Sequence, residues 1–160
     1  MPNKNKKTDK IIINHGELRI ALELQVVRKI LEVERVNMVP TRNLKSEIRP
    51  GVITDKGSAI AVVTLDSLLS EDSNAPTDNS ATVLILSEGE RTLGLGLSKD
   101  LTGRDITVLR GDAFTITNPA TIEGAFSRYS NGSFLQDNQS IELLNWRLLY
   151  DDTKNTINAG

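Results

Sequence analysis

Gly16-Glu17-Leu18-Arg19-Ile20-Ala21-Leu22-Glu23-Leu24 is the stretch whose reading decides the fold. Leu18, Ile20, Leu22 and Leu24 fall on one face, and Arg19 and Glu23 fall on the other. A period of two over four to eight residues marks a half-buried strand. The Gly-Glu pair that opens it, within Asn14-His15-Gly16-Glu17, reads as a hairpin turn after the short apolar run Ile11-Ile12-Ile13. The same arrangement returns 73 residues later. Gly89-Glu90 follows a β-rich run containing Val83 and Ile85, and it leads into Leu93, Leu95 and Leu97 alternating with Gly94 and Gly96.

The echo continues along the chain. Gly51-Val52 recurs at the same offset as Gly124-Ala125. The turn glycine Gly57, in Asp55-Lys56-Gly57-Ser58, recurs in Asn131-Gly132-Ser133, and Leu68-Leu69 recurs as Leu148-Leu149, with the offset stretched to 75 and then 80. The polar run from Ser70 to Ser80 separates the two copies, so the chain reads as a duplicated unit. Five short strands cannot cover both faces of an open sheet, and curling into a small barrel removes the exposed edges. The expectation is a mostly-β domain over 11–150. Two SH3-like five-stranded β-barrel subdomains, at about 15–80 and 81–150, interlock around a shared core with a groove at their junction. Helix is scarce: Gln25–Leu31 reads as one or two turns or an irregular strand, and Asp66–Leu69 and Trp146–Leu149 as short terminal turns. Residues 1–10, with Lys4, Lys6, Lys7 and Lys10, read as a disordered basic leader, and 151–160 as a frayed tail.

Composition narrows the chemistry. There is no cysteine, which removes disulfides, thiolate metal sites and a cysteine nucleophile, and suits a reducing cytoplasm. The one histidine, His15, sits in a predicted turn, too isolated to serve a catalytic triad and too few to ligate zinc. Glu71-Asp72 lies in the linker. Asp100 and Asp105 flank Gly103 without the alternating spacing of a calcium loop. The run Gly94-Leu95-Gly96-Leu97-Ser98-Lys99 lacks the spacing of a phosphate loop. Its glycines read as a strand face that another part of the same barrel approaches closely, with a bound partner as the sharper alternative. A net charge of −2 calls for neither nucleic acid nor an anionic membrane. The apolar runs are far shorter than a membrane span. Of the few aromatics, Phe126, Tyr129, Phe134 and Trp146 are close enough in sequence to share a surface, and Trp146 among leucines reads as core. No cofactor, metal or enzymatic chemistry is expected, and binding to other proteins is. The competing reading is a small β-barrel binding module for nucleic acid or a small ligand.

Order and spacing resemble the CheW-like domain family of bacterial chemotaxis adaptors. That family opens with a Gly-Glu turn and an alternating strand, then Val-x-x-Ile, a polar stretch ending in Val-Pro, and a Gly-Val-Ile strand. Here these are Gly16-Glu17, Leu18 to Leu24, Val27-Arg28-Lys29-Ile30, Val39-Pro40 and Gly51-Val52-Ile53. The family's Asn-Leu-Arg-Gly hairpin and the Val-Pro-Val-Ile-Asp-Leu strand after it resemble Thr54-Asp55-Lys56-Gly57 and Ile60 to Leu65. Thr82 to Leu97 and Ile122 to Leu149 resemble its second half. The resemblance covers about 11–150. It implies a non-enzymatic cytoplasmic scaffold that couples a methyl-accepting chemotaxis receptor to the regulatory domain of a CheA-type histidine kinase. It involves no nucleic acid and no direct membrane insertion, and it reaches membrane arrays only through its partners. By the same resemblance Val27, Lys29, Ile30, Gly51, Lys56 and Gly57 contact kinase or receptor, and Val83 and Gly94 fall at a receptor groove. The chain departs from the pattern at Lys29, where the family has an acid. It departs again at Lys56, where an arginine's bidentate geometry is lost. Pro50 separates Arg49 from Gly51, and Leu97-Ser98 replaces Val-Asp. Reversed charge selects different partners, which points to an adaptor of a pilus-motility or light-responsive system.

Overall fold

The computed structural model describes residues 9–15, 18–33, 37–38, 50–65, 68, 81–97, 106–109, 128–136 and 139–159. Within them the strands are Lys10–His15 (β1), Leu18–Glu23 (β2), Val27–Val33 (β3), Asn37–Met38 (β4), Gly51–Asp55 (β5), Ser58–Thr64 (β6), Ala81–Glu88 (β7), Arg91–Leu97 (β8), Ile106–Leu109 (β9), Ser130–Gln136 (β10) and Gln139–Leu144 (β11). A 3-10 turn, Leu24–Val26, joins β2 to β3, and the helix Trp146–Ala159 (α1) follows β11.

The strands form two sheets. A terminal sheet runs β10-β11-β2-β1-β9, and a central sheet runs β3-β7-β8-β6-β5-β4. Apart from the two-residue β4, the sheets have the same plan. Each contains one parallel pair, β11 with β2 and β6 with β8, and every other contact is antiparallel. The registers agree as well. Leu143 opposes Ala21 in one parallel pair and Val62 opposes Gly94 in the other, so the hairpins superpose at an offset of 73 and the later strands at 81. Leu65 and Leu68 correspond to Trp146 and Leu149 at that second offset, and all four are buried in one core.

The duplication is therefore present, but the strands do not divide between barrels near residue 80. The first half sends its opening hairpin, β1–β2, to the terminal sheet and its later strands to the central one. The second half does the reverse with β7–β8. Alternation of apolar residues cannot specify this choice, because two near-identical sheets offer the same hairpin the same edge. The repeat read from the sequence is also out of step in its later parts: at the offset of 81, Leu68 matches Leu149 rather than Leu148, and Gly51 does not match Gly124. Gly132 lies inside β10, where the pairing slips between Ser130 and Ser133, and its structural counterpart is Gly51 rather than Gly57.

Burial falls into three clusters. Ile53, Ile60, Val62, Val83 and Ile85, with Leu31 and Val33 packed against them, fill the inside of the central sheet. Ile12, Ala21, Phe134 and Ile141, with Leu109 and Leu143, fill the inside of the terminal sheet. Between the sheets lies the largest cluster, with Ile11, Ile13, Ile20 and Leu22 from one side and Leu84, Leu86, Leu93 and Leu95 from the other. Strands such as β1 and β7 thus bury both faces, and each fully buried Ile or Leu side chain there contributes about 1.5–3 kcal/mol.

Both ends of the chain extend the ordered fold beyond what the sequence suggests. Asp9 and Lys10 are buried, Asp9 O accepts from Leu24 N–H at 3.0 Å, and Lys10 lies in β1. The predicted frayed tail is helix through Ala159. Asn145 caps it, its Oδ1 accepting from Leu148 N–H at 3.3 Å. Its buried face is Trp146, Leu149, Thr153 and Thr156, at helical spacing. The two threonine hydroxyls become buriable by donating to Leu149 O and Asp152 O at 2.7 and 2.8 Å. Residues 1–8, the Gly16-Glu17 turn, the 70–80 linker, Asp100, Asp105, Gly124 and Phe126 lie outside the described residues.

Candidate interaction surface

β3 is an edge strand of the central sheet and carries three of the expected partner residues. Its pairing with β7 slips between Val27, opposite Leu86, and Lys29, opposite Ile85. One extra residue in a strand shifts all later side chains to the other face. Val27 therefore packs on the cluster between the sheets, whereas Lys29 lies on the face of Ile85, inside the central barrel. Ile30, opposite Leu84, returns to Val27's face, beyond the reach of the other sheet, and stands 50% exposed. The strand thus brings Val27 and Ile30 together and turns Lys29 away from them.

Lys29 is not idle. Its ammonium forms an ion pair with Asp55 of β5, with side-chain exposures of 32% and 18%. Sheet order separates β3 from β5 by three strands. A direct contact between them requires the sheet to curl until its margins meet, which is the barrel closure expected of five short strands. Asp55 leads into the two-residue turn Lys56-Gly57 of the β5–β6 hairpin. Both turn residues have positive φ, 50° at Lys56 and 83° at Gly57, as a type I′ hairpin turn requires. Glycine takes this conformation freely, but lysine does so at a cost of about 1 kcal/mol. The ion pair therefore joins two segments, one presenting Ile30 and the other presenting a strained, exposed Lys56.

With that geometry in place, the family model described as "CheW-like domain" matches residues 11–153. The chain belongs to the CheW-like domain family. Members of this family are non-enzymatic scaffold proteins. Among solved structures, the fold is similar to that of the scaffolding protein TtCheW from Thermoanaerobacter tengcongensis. The TM-score is 0.53 at 17% identity, over 85% of this chain and 82% of that one. Comparison with curated proteins returns no match.

The remaining family positions sit deeper. Gly51 is buried at the start of β5, between Met38 of β4 and Val62 of β6. Val83 is fully buried inside the central barrel, and Gly94 is buried beside it. A Cβ at Gly94 would lie 2.8 Å from Val62 Cγ2 and 2.9 Å from Val83 Cγ1. The close approach anticipated at the glycine strand is thus made by the same barrel, across the parallel β6–β8 pair. Val83 and Gly94 form the wall of the barrel and do not present atoms to a groove.

Sequence reasoning singled out Lys29 but missed its partner, Asp55. A signal existed: Lys29 replaces a family acid, and Asp55 stands where the family hairpin has leucine, so two departures of opposite charge compensate each other. It also missed the polar brace that spans the two sheets. Arg147 of α1 donates to Glu23, at the end of β2, at 3.0 Å, and to Glu88, at the end of β7, at 2.5 and 2.7 Å. Burial alone would raise the Glu23 carboxyl. Hydrogen bonds from Arg147 and Gln25, with the Arg147 charge, outweigh it and hold the group below its ordinary range. The Arg147 hydrogen bond likewise lowers Glu88. At the other side of α1, Asp152 accepts from Arg128 at 2.7 Å and from the Tyr129 hydroxyl at 2.9 Å. The Arg128 bond lowers Asp152, and burial, reinforced by Asp152, raises Tyr129. Among the described residues, no three histidine, aspartate or glutamate side chains converge as a metal set. No helix there is long and apolar enough to cross a membrane.

Proposed function

We propose that this chain is a cytoplasmic chemosensory adaptor that couples methyl-accepting receptors to a CheA-type histidine kinase, gripping the kinase's regulatory domain through the outer rim of its central barrel. The observation that carries the reading is Ile30. It is a large aliphatic residue, half exposed on an edge strand, on the same face as Val27 and at the family's Val-x-x-Ile position. Apolar atoms on a rim of charged neighbours, here Arg28 and Glu32 on β3 and Lys56 on the hairpin, form the usual anatomy of a protein interface. A strained Lys56 at the tip supports the same reading, since costly backbone conformations concentrate at functional sites. Gly51 and Gly57 shape the hairpin. Val83 and Gly94 serve by holding the wall behind it. The reversed charge at Lys29 favours a partner set of its own, such as a pilus-motility or light-responsive system. The competing reading, an oligonucleotide-binding barrel, lacks support from Tyr129, Phe134 and Trp146, which are buried and offer no stacking surface.

The test is capture of a CheA-type regulatory domain from the same genome by the full chain. Ile30→Asp is the informative variant, because Ile30 is exposed and the change leaves the fold intact. Val27→Asp would place a carboxylate against the core and confound folding with binding. Loss of a central apolar anchor is expected to weaken binding by about 2 kcal/mol or more, roughly thirtyfold. Unchanged binding by folded Ile30→Asp removes the site, and no binding by the wild-type chain removes the function.

A further inference from the structure

We infer that Lys29 is a positioning residue, one that closes the central barrel through Asp55 and so fixes Ile30 and Lys56 relative to each other, without itself touching the partner. The inference rests on the adaptor reading for the identity of that partner, but its physical core stands on geometry alone. The slip in β3 pairing sends Lys29 to the inner face and Ile30 to the outer one, so the two neighbours cannot both face a docked domain. The ammonium is engaged by Asp55, on a strand that belongs to the other end of the sheet order. The residue after Lys29 is Ile30, and the residue after Asp55 is Lys56. The pair therefore ties the strand that carries the apolar anchor to the hairpin that carries the exposed charge.

The duplicated barrel provides an internal comparison. By register, Ile30 corresponds to Val108, because Ile30 opposes Leu84, Val108 opposes Ile11, and Leu84 and Ile11 are 73 residues apart. Lys29 then corresponds to Thr107, opposite Ile12, and Asp55 corresponds to Gln136, since Asp55 opposes Ser58 and Gln136 opposes Gln139. The terminal sheet thus keeps the exposed aliphatic residue, with Val108 48% exposed, but has neither charge at the matching seam positions. The ion pair is not a requirement of the barrel plan. It belongs to the barrel whose rim bears the family's docking residues.

The test is a double-mutant exchange, read in two ways on the full chain: hydrogen exchange at the backbone amides of β3 and β5, and affinity for the CheA-type regulatory domain. Lys29→Met is expected to raise exchange in β3 and β5 while leaving α1 unchanged, and to weaken binding by about fivefold, the scale of a partly exposed ion pair. Lys29→Arg should preserve both readouts. The swap Lys29→Asp with Asp55→Lys keeps the combined reach of the two side chains and is expected to restore protection and affinity together. Restored protection with affinity still lost would mean that Lys29 meets the partner directly, and would overturn the inference. So would unchanged β3 exchange in Lys29→Met. If the wild-type chain binds no regulatory domain, the adaptor reading falls. The inference is then decided on exchange alone: protection lost in Lys29→Met and regained in the swap supports barrel closure, and protection unmoved overturns it.

Discussion

Gly94 shows how little room a single position can leave. Two valine methyl groups, on β6 and β7, stand where its first side-chain carbon would be, and neither belongs to a flexible chain end. Gly94→Ala must push apart the parallel β6–β8 pair or force a valine off its rotamer, at a cost of about 1–3 kcal/mol. Chemical denaturation should show a lower midpoint with an unchanged slope. A midpoint equal to that of the wild type would mean that the strands yield freely there. This residue was legible in sequence, because glycines alternating with buried leucines leave few readings other than close approach. The Lys29–Asp55 contact was not. Its members are 26 residues apart on strands that are not neighbours, and only closure of the sheet brings them together.

At the scale of elements, α1 marks the limit of pattern reading. Trp146 and Leu149 announce a buried helical face, but its continuation falls on Thr153 and Thr156, which sequence assigns to solvent. Each is buried only because its hydroxyl finds a carbonyl one turn back, a bond that exists only once the helix has formed. The helix also gathers the carboxylates that govern acid stability. Glu23, Glu88 and Asp152 all have pKa values lowered by arginine partners. A lowered folded value means the unfolded chain takes up protons first as pH falls. The stabilisation is therefore present above the unfolded values, near pH 4, and is lost as pH falls through the lower folded ones. Thermal melts should hold a plateau around neutrality and decline below about pH 4. Arg147→Met should lower the plateau and make the acid decline shallower. A decline of unchanged steepness in that variant would remove Arg147 as its cause.

For the whole molecule, the number of barrels and their shared plan could be read from the repeat, but the exchange of hairpins between them could not. That exchange makes the two halves thermodynamically inseparable. Fragment 1–80 contains β1–β2 without the strand β11 that flanks it, and β3, β5 and β6 without the hairpin that lies between them. Each fragment alone is expected to lack a cooperative thermal transition, since it has half of each core. The two co-expressed should assemble one-to-one with a single transition close to that of the intact chain. An independently folded fragment 1–80, seen as dispersed amide resonances, would contradict the exchange.

The exchanged hairpins also set a timetable for synthesis. β2 leaves the ribosome among the first strands, but its parallel neighbour, residues 141–143 of β11, is among the last. At 5–20 residues per second the interval is roughly 6–25 s. Throughout it the free edge of β2 is open to any passing strand, even after the central sheet that covers Ile20 and Leu22 has been completed at Leu97. In that interval Arg19 and Glu23 are the charges that β2 carries against mispairing, before Glu23 takes up Arg147 in the finished fold.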